Sequence, residues 1–324
     1  MRYDLGAWAV CTFYILSGYW IYRMWTHKYA QARNPLATFY VSRAWRILPL
    51  FWLANAIGCI FRLATDPAFF GPSGPHWSTV PAVLSNLFVF GYADMPATQR
   101  ALDVAWSLDL EFQFYLFFPL LFLLSGRPRL GRVWSVVAMA GFALGLVTML
   151  IPVAIEVRTL ANYGLFFLIG AAAAKHEWRP SPALAGGIIA AVAAFCALCL
   201  VVPAWNHLVV DTQFGPQPEN NHHRQIFQAA LALLTAPVAL CSVRNSSGPF
   251  DRHLGEFTFA LYLFHWPVVI CYRHYFGQLR GMARLPSLSL AWAAIVVLSL
   301  GAYWLLDRPV ERRRRRWVAG RIST

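Results

Sequence analysis

The chain has 324 residues, of which 58% are hydrophobic, 16% aromatic and only 13% charged, and its mean hydropathy is +0.49. The apolar residues gather into blocks close to a bilayer's span rather than into amphipathic stripes, which excludes an ordinary soluble domain and points to an all-α, polytopic membrane protein. A net charge of +13 would suit a nucleic-acid binder, but the basic residues sit at the ends of apolar segments and in a C-terminal run, where they read as membrane anchors instead.

In chain order, apolar runs near 20 residues predict membrane helices at Leu5–Met24, Trp45–Leu63, Trp106–Leu124, Val133–Val153, Leu160–Ala174, Leu184–Pro203, Ile226–Val243, Phe257–Cys271 and Leu288–Leu306. This amounts to about nine spans in a transmembrane helix bundle, read as one domain over residues 1–324 that closes in a basic cytoplasmic tail at 307–324. Pro81–Gly91 is apolar but too short to cross, and is expected to lie at the interface or to re-enter. No small-residue cleavage site follows the first apolar segment, so it is expected to stay in the membrane.

Lys and Arg collect on the cytoplasmic side of short loops. The alternation places the C-terminus inside, with Arg23, Lys28, Arg33, Arg43 and Arg46 on the same side as Arg308 and Arg312–Arg316. Arg273, Arg280 and Arg284 run against that pattern. An odd number of spans leaves only a four-residue tail outside, an abrupt start: either this tail is translocated unaided or a further span lies upstream.

Arg43 and Arg46 stand three apart at the inner end of the second span and share a helix face. Two neighbouring guanidiniums suit a phosphate or pyrophosphate, although a plain topology anchor has the same spacing. Next comes the segment Trp106–Pro119, WSLDLEFQFYLFFP. A carboxylate at the centre of a membrane helix costs about 2.5 to 3.5 kcal/mol on insertion scales, so Glu111 is expected to face a protein interior or a watery cavity, as a functional group or a structural ion pair. Ser107 lies on the same face, whereas Asp109 points away and is assigned to the interface or to a helix cap.

Further on, Cys196 and Cys199 have CxxC spacing, but no second ligand pair follows and all six cysteines lie in or beside apolar helices, as packing thiols do. His207, His222 and His223 fall in an outer loop from Ala204 to Arg224 and match no metal-site spacing. Phe257–Pro267, FTFALYLFHWP, carries Thr258, Tyr262 and His265 on an apolar helix that Pro267 is expected to kink. His265 reads either as an acid, base or hydrogen-bond donor to a bound group, or as a satisfied structural histidine.

Taken together, FYILSGYWI, SRAWRILP, WSLDLEFQFYLFFP, FLIGAAAA, FALYLFHWP and LLDRPVERR, in this order along almost the whole chain, resemble the acyltransferase-3 family of integral-membrane O-acyltransferases. The resemblance implies a helical bundle, embedded in a bacterial inner membrane, that moves an acyl group, commonly acetyl, from cytoplasmic acyl-CoA to a hydroxyl of a glycan or related acceptor, with no metal. It implies acyl-CoA handling by Arg43 and Arg46 and a catalytic setting for Glu111 and His265. The family often has a second Glu beside the acidic position, where this chain has Phe112. Since FYILSGYWI matches the family's second helix, the resemblance also implies an Arg- and His-bearing helix upstream of Met1. Two other readings go with this sequence: a catalytically incomplete pseudo-enzyme or acyl carrier, and a glycolipid transporter.

Overall fold

The structure, a computed structural model, describes residues 2–3, 5–66, 80–95, 99–125, 130–148, 158–205, 210–211, 218–243, 248–279 and 281–322. The helices are α1 (Gly6–His27), α2 (Pro35–Thr65), α3 (Val80–Phe88), α4 (Trp106–Ser125), α5 (Leu130–Thr148), α6 (Leu160–Lys175), α7 (Pro182–Val201), α8 (Pro218–Ser242), α9 (Pro249–Phe276), α10 (Leu285–Ala302) and α11 (Arg308–Ala319). A two-residue strand, Arg2–Tyr3, pairs antiparallel with Val210–Asp211. The chain is therefore all-α in its described residues apart from this one short ladder.

Each apolar run expected to span is helical in its described residues, and 149–153 of the fourth lie outside them. By length and composition, five helical stretches among the described residues suffice to cross a membrane: Pro35–Thr65, Pro182–Val201, Gln225–Ser242, His253–Phe276 and the apolar part of Gly281–Ala319. The expected nine crossings are thus nine helical segments of which five carry the full signature. Of the others, α6 has 16 residues and α1 is diluted by Trp, Tyr and Gly. α3 has nine residues, too few to span, as expected for that segment. α9 continues through Pro267 as one helix.

The chain packs as two compact units. The first is formed by the described residues of Met1–Ala30 and Leu116–Ser246, the second by those of Gln31–Tyr115 and Ser247–Thr324. In the first unit α1 packs on α6 and α8, α5 on α6, and α7 on α8. A Cβ on Gly18 would collide with the carbonyl oxygen of Phe167, and one on Gly170 with that of Ile15, so α1 and α6 meet backbone to backbone in the manner of small-residue membrane interfaces. Tyr14 stacks on Phe167 beside this contact, with ring centroids 4.4 Å apart. The Trp8 indole donates to Thr235 Oγ1 at 2.8 Å and ties α1 to α8.

In the second unit α2 packs against α9 and α11, and α9 against α10. α3 is clamped to α2 by the Asn55 amide, which donates to the Asn86 backbone carbonyl at 3.2 Å, and by the Trp52 indole, which donates to the Leu87 carbonyl at 2.6 Å. Between α10 and α11 the helix loosens into a π-helical turn, Tyr303–Asp307. α11 then carries Glu311 and the arginine run Arg312–Arg316, too charged for hydrocarbon, so the apolar span ends before it.

Candidate active site

The second unit holds all four site residues expected from the sequence. Glu111 is 5% exposed, and it lies on the same face of α4 as Ser107 and Tyr115, at spacings of four. Tyr115 donates its phenol to Glu111 Oε1. The guanidinium of Arg43, itself 6% exposed, lies 5.6 Å from the centre of the Tyr115 ring and 5.8 Å from that of Phe39. An arginine, a tyrosine and a glutamate thus form one buried cluster, in which a cation sits against the face of the ring whose hydroxyl holds the carboxylate.

One turn back along α4, Ser107 Oγ and Tyr262 Oη are 2.6 Å apart, and Tyr262 also donates to the carbonyl of Val104 at 2.7 Å. These bonds join α4 to α9. His265 follows Tyr262 by three residues, with ring centroids 5.9 Å apart.

Arg46 has different neighbours from Arg43. Its guanidinium reaches Asp307 Oδ1 at 3.4 Å and lies 5.1 Å from the centre of the Phe259 ring. Its side chain is 23% exposed, that of Asp307 only 6%. Asp307 is the last residue of the π-helical turn, and the extra residue of such a turn re-aims the side chains that follow it. Next along α11, Glu311 accepts from Arg314 Nε and from Arg315 Nε, each at 2.7 Å, while Arg314 donates onward to Ser42 Oγ at 2.6 Å. Arg315 also pairs with Glu256, and Tyr303 Oη lies 2.7 Å from His253 Nδ1. Burial alone would raise the Glu311 carboxyl, but the hydrogen bonds and charges of Arg314 and Arg315, with Arg46, bring it down to about 2.

Of the two places expected for Asp109, the structure does not bear out the helix cap, since its buried carboxylate, 0% exposed, is committed elsewhere. Its carboxylate accepts from the Ala93 amide at 2.8 Å and from the Gln113 side chain at 3.0 Å, which fixes the turn after α3, where Val89 and Gly91 take positive φ. No residue pattern points to this role, because the partner amide lies in an irregular segment 16 residues upstream. Two further residues went unnoticed. Tyr115 reads as one more aromatic in an apolar run, although its spacing of four from Glu111 was available, and Asp307 is a carboxylate at the foot of an apolar helix, the same kind of signal that singled out Glu111.

All six cysteines carry free thiols. Among the described residues no three His, Cys, Asp or Glu side chains gather in a metal-binding group. His207 and the side chains of His222 and His223 lie outside the described residues, although Pro218 already begins α8, so the expected loop is helical from there.

Compared with known proteins, the chain is 28% identical to acyltransferase MdmB of Streptomyces mycarofaciens, over 97% of this chain and 84% of that protein. It is 25% identical to the exopolysaccharide production protein ExoZ of Rhizobium meliloti, over 97% of this chain and 92% of that one. An uncharacterized protein of Haemophilus influenzae is 26% identical over 48% of this chain and 66% of its own length. No solved structure matches significantly. The acyltransferase domain that defines a family of such enzymes covers residues 1–308. With nearly its full length matched and a buried Arg–Tyr–Glu cluster among apolar helices, the chain belongs to the acyltransferase-3 family of membrane acyltransferases.

Proposed function

We propose that the chain takes an acyl group, acetyl in the simplest case, from cytoplasmic acyl-CoA and esterifies a hydroxyl of a glycan or related acceptor at a bacterial inner membrane, with its C-terminus in the cytoplasm. The observation that carries this reading is the buried cluster of Arg43, Tyr115 and Glu111, one helical turn from Ser107 and its partner Tyr262. Ester formation needs a group to take the acceptor's proton and donors to meet the oxyanion on the thioester carbonyl. Glu111, oriented by Tyr115, takes the proton. His265 supplies an N–H, and Arg43 and Arg46 face the anionic donor. The name of the ExoZ relative speaks of exopolysaccharide production, which favours a glycan acceptor.

The test is thiol release from acetyl-CoA by the purified full chain, with a hydroxylated glycan as acceptor. Glu111→Gln should lower turnover about 100-fold or more, the range of general acid–base catalysis, while CoA affinity holds. Arg46→Ala should raise the KM for acetyl-CoA about tenfold, as expected for a lost charge-assisted contact. That variant also strands the buried Asp307, a loss of about 1 to 3 kcal/mol, so Arg46→Ala with Asp307→Asn should recover thermal stability and keep the raised KM. Wild-type kinetics in both single variants would overturn the assignment.

A further inference from the structure

The arginines of the second unit divide into two sets. Arg46, Arg314 and Arg315 each answer a carboxylate. Arg33, Arg316 and Arg321 answer none among the described residues, yet all three line one open cleft of about 620 Å³, together with Asn34, Trp317 and Gly320. The cleft is held in shape by the backbone, since the Arg33 amide donates to the Arg321 carbonyl at 3.2 Å and joins the approach to α2 with the end of α11. The Arg321 guanidinium lies over Trp317, 4.2 Å from the ring centre, and Trp45 of α2 packs against the same indole, with centroids 5.6 Å apart.

The same place is the N-terminus of α2. Asn34 is its N-cap residue, its side chain caps no amide, and Pro35 opens the helix. A 31-residue helix presents a positive end here. Three guanidiniums, a helix N-terminus and an uncommitted amide around one cavity repel one another unless an anion joins them, and the ligand that satisfies such a set is a phosphate.

We propose that this cleft binds a phosphate ester or diphosphate, and that the ligand is the phosphorylated nucleotide end of the acyl-CoA donor. The second half of the proposal rests on the function proposed above. Arg43 stands nine residues along α2 from Asn34, roughly 14 Å at the helical rise. A donor anchored by its phosphates in the cleft would thus extend its long, flexible pantetheine arm along α2 toward Arg43, Tyr115 and Glu111. Anionic lipid headgroups share the phosphate chemistry, and the experiment separates the two sources.

Binding of adenosine 3′,5′-bisphosphate to the detergent-purified full chain would be measured by calorimetry, and capture of vesicles with and without phosphatidylglycerol would be measured alongside. The variants are Arg316→Gln with Arg321→Gln, Arg33→Gln alone from the other wall, and, as a charge-matched control outside the cleft, Arg312→Gln with Arg313→Gln. The proposal expects both cleft variants to weaken bisphosphate binding about tenfold or more while the control stays within about twofold of the wild type. Loss of phosphatidylglycerol capture alone, with bisphosphate binding intact, would overturn the donor assignment and leave a lipid phosphate in the site. Equal effects in cleft and control variants on both probes would overturn the site altogether. Failure to release thiol from acetyl-CoA would speak against the proposed function without touching these binding measurements.

Discussion

At Glu311 two arginines of the same helix close on one carboxylate, and one of them, Arg314, extends the contact to Ser42 of α2. The group is held at about 2, against 4.5 for an ordinary glutamate. A carboxyl whose pKa is depressed by folding contributes its full share of stability above the unfolded value, and that share drains away as pH falls toward the folded one. The melting temperature of the purified protein should therefore drop between pH 4.5 and about 2, and Glu311→Gln should flatten this limb while lowering stability at pH 7. An unchanged acid limb in the variant would show that the network stabilises nothing. Glu111 illustrates what a single residue discloses in a sequence, since a charge inside an apolar run is conspicuous for costing several kcal/mol there. Arg43 stands out by its spacing from Arg46 instead, and both Arg43 and Glu111 are buried in the structure. Tyr115, which touches both, passes for hydrophobic filler because a phenol costs little until its hydroxyl needs a partner.

Elements were legible where hydrocarbon dictated them and less so beyond it. The reading started α2 at Trp45 and α9 at Phe257, but the helices begin at Pro35 and Pro249. A search for bilayer-length apolar runs stops where polar residues enter, whereas backbone hydrogen bonding continues past the membrane boundary as long as no breaker intervenes. The missed extensions matter, since they carry Ser42, Arg43, His253 and Glu256, which build most of the charged network. The π-helical turn Tyr303–Asp307 was equally hidden, because a wider turn has no composition of its own. It can be tested by deleting Leu305, whose side chain is 83% exposed and packs on little. Removing one residue rotates everything after it by about 100° relative to α10, so Asp307 would leave Arg46 and Arg314 would leave Ser42. Acyl-CoA turnover and thermal stability should fall together, and a deletion that preserves both would make the turn incidental.

For the whole molecule, the all-α class and the acyltransferase family followed from composition and from six motifs in order, whereas the division into two units did not. Each unit is assembled from two separated stretches of chain, and the break at Tyr115 and Leu116 falls inside one continuous helix, where no linker composition marks it. The orientation proposed above rests on the basic residues, above all the run Arg312–Arg316. With the C-terminus proposed inside, a fluorescent protein fused after Thr324 should fluoresce in bacterial cells and a periplasmic phosphatase fused there should stay inactive. The reverse result would invert the topology and move the phosphate cleft to the wrong face for a cytoplasmic donor.

The seam between α1 and α6 has its own bearing on how cargo travels. Where main chain rests on main chain at Gly18 and Gly170, there is no rotamer to swing aside and no gap for a lipid tail or sugar to wedge open. The pair must tilt or shift as a single strut, so whatever doorway the first unit offers has to open along some other edge.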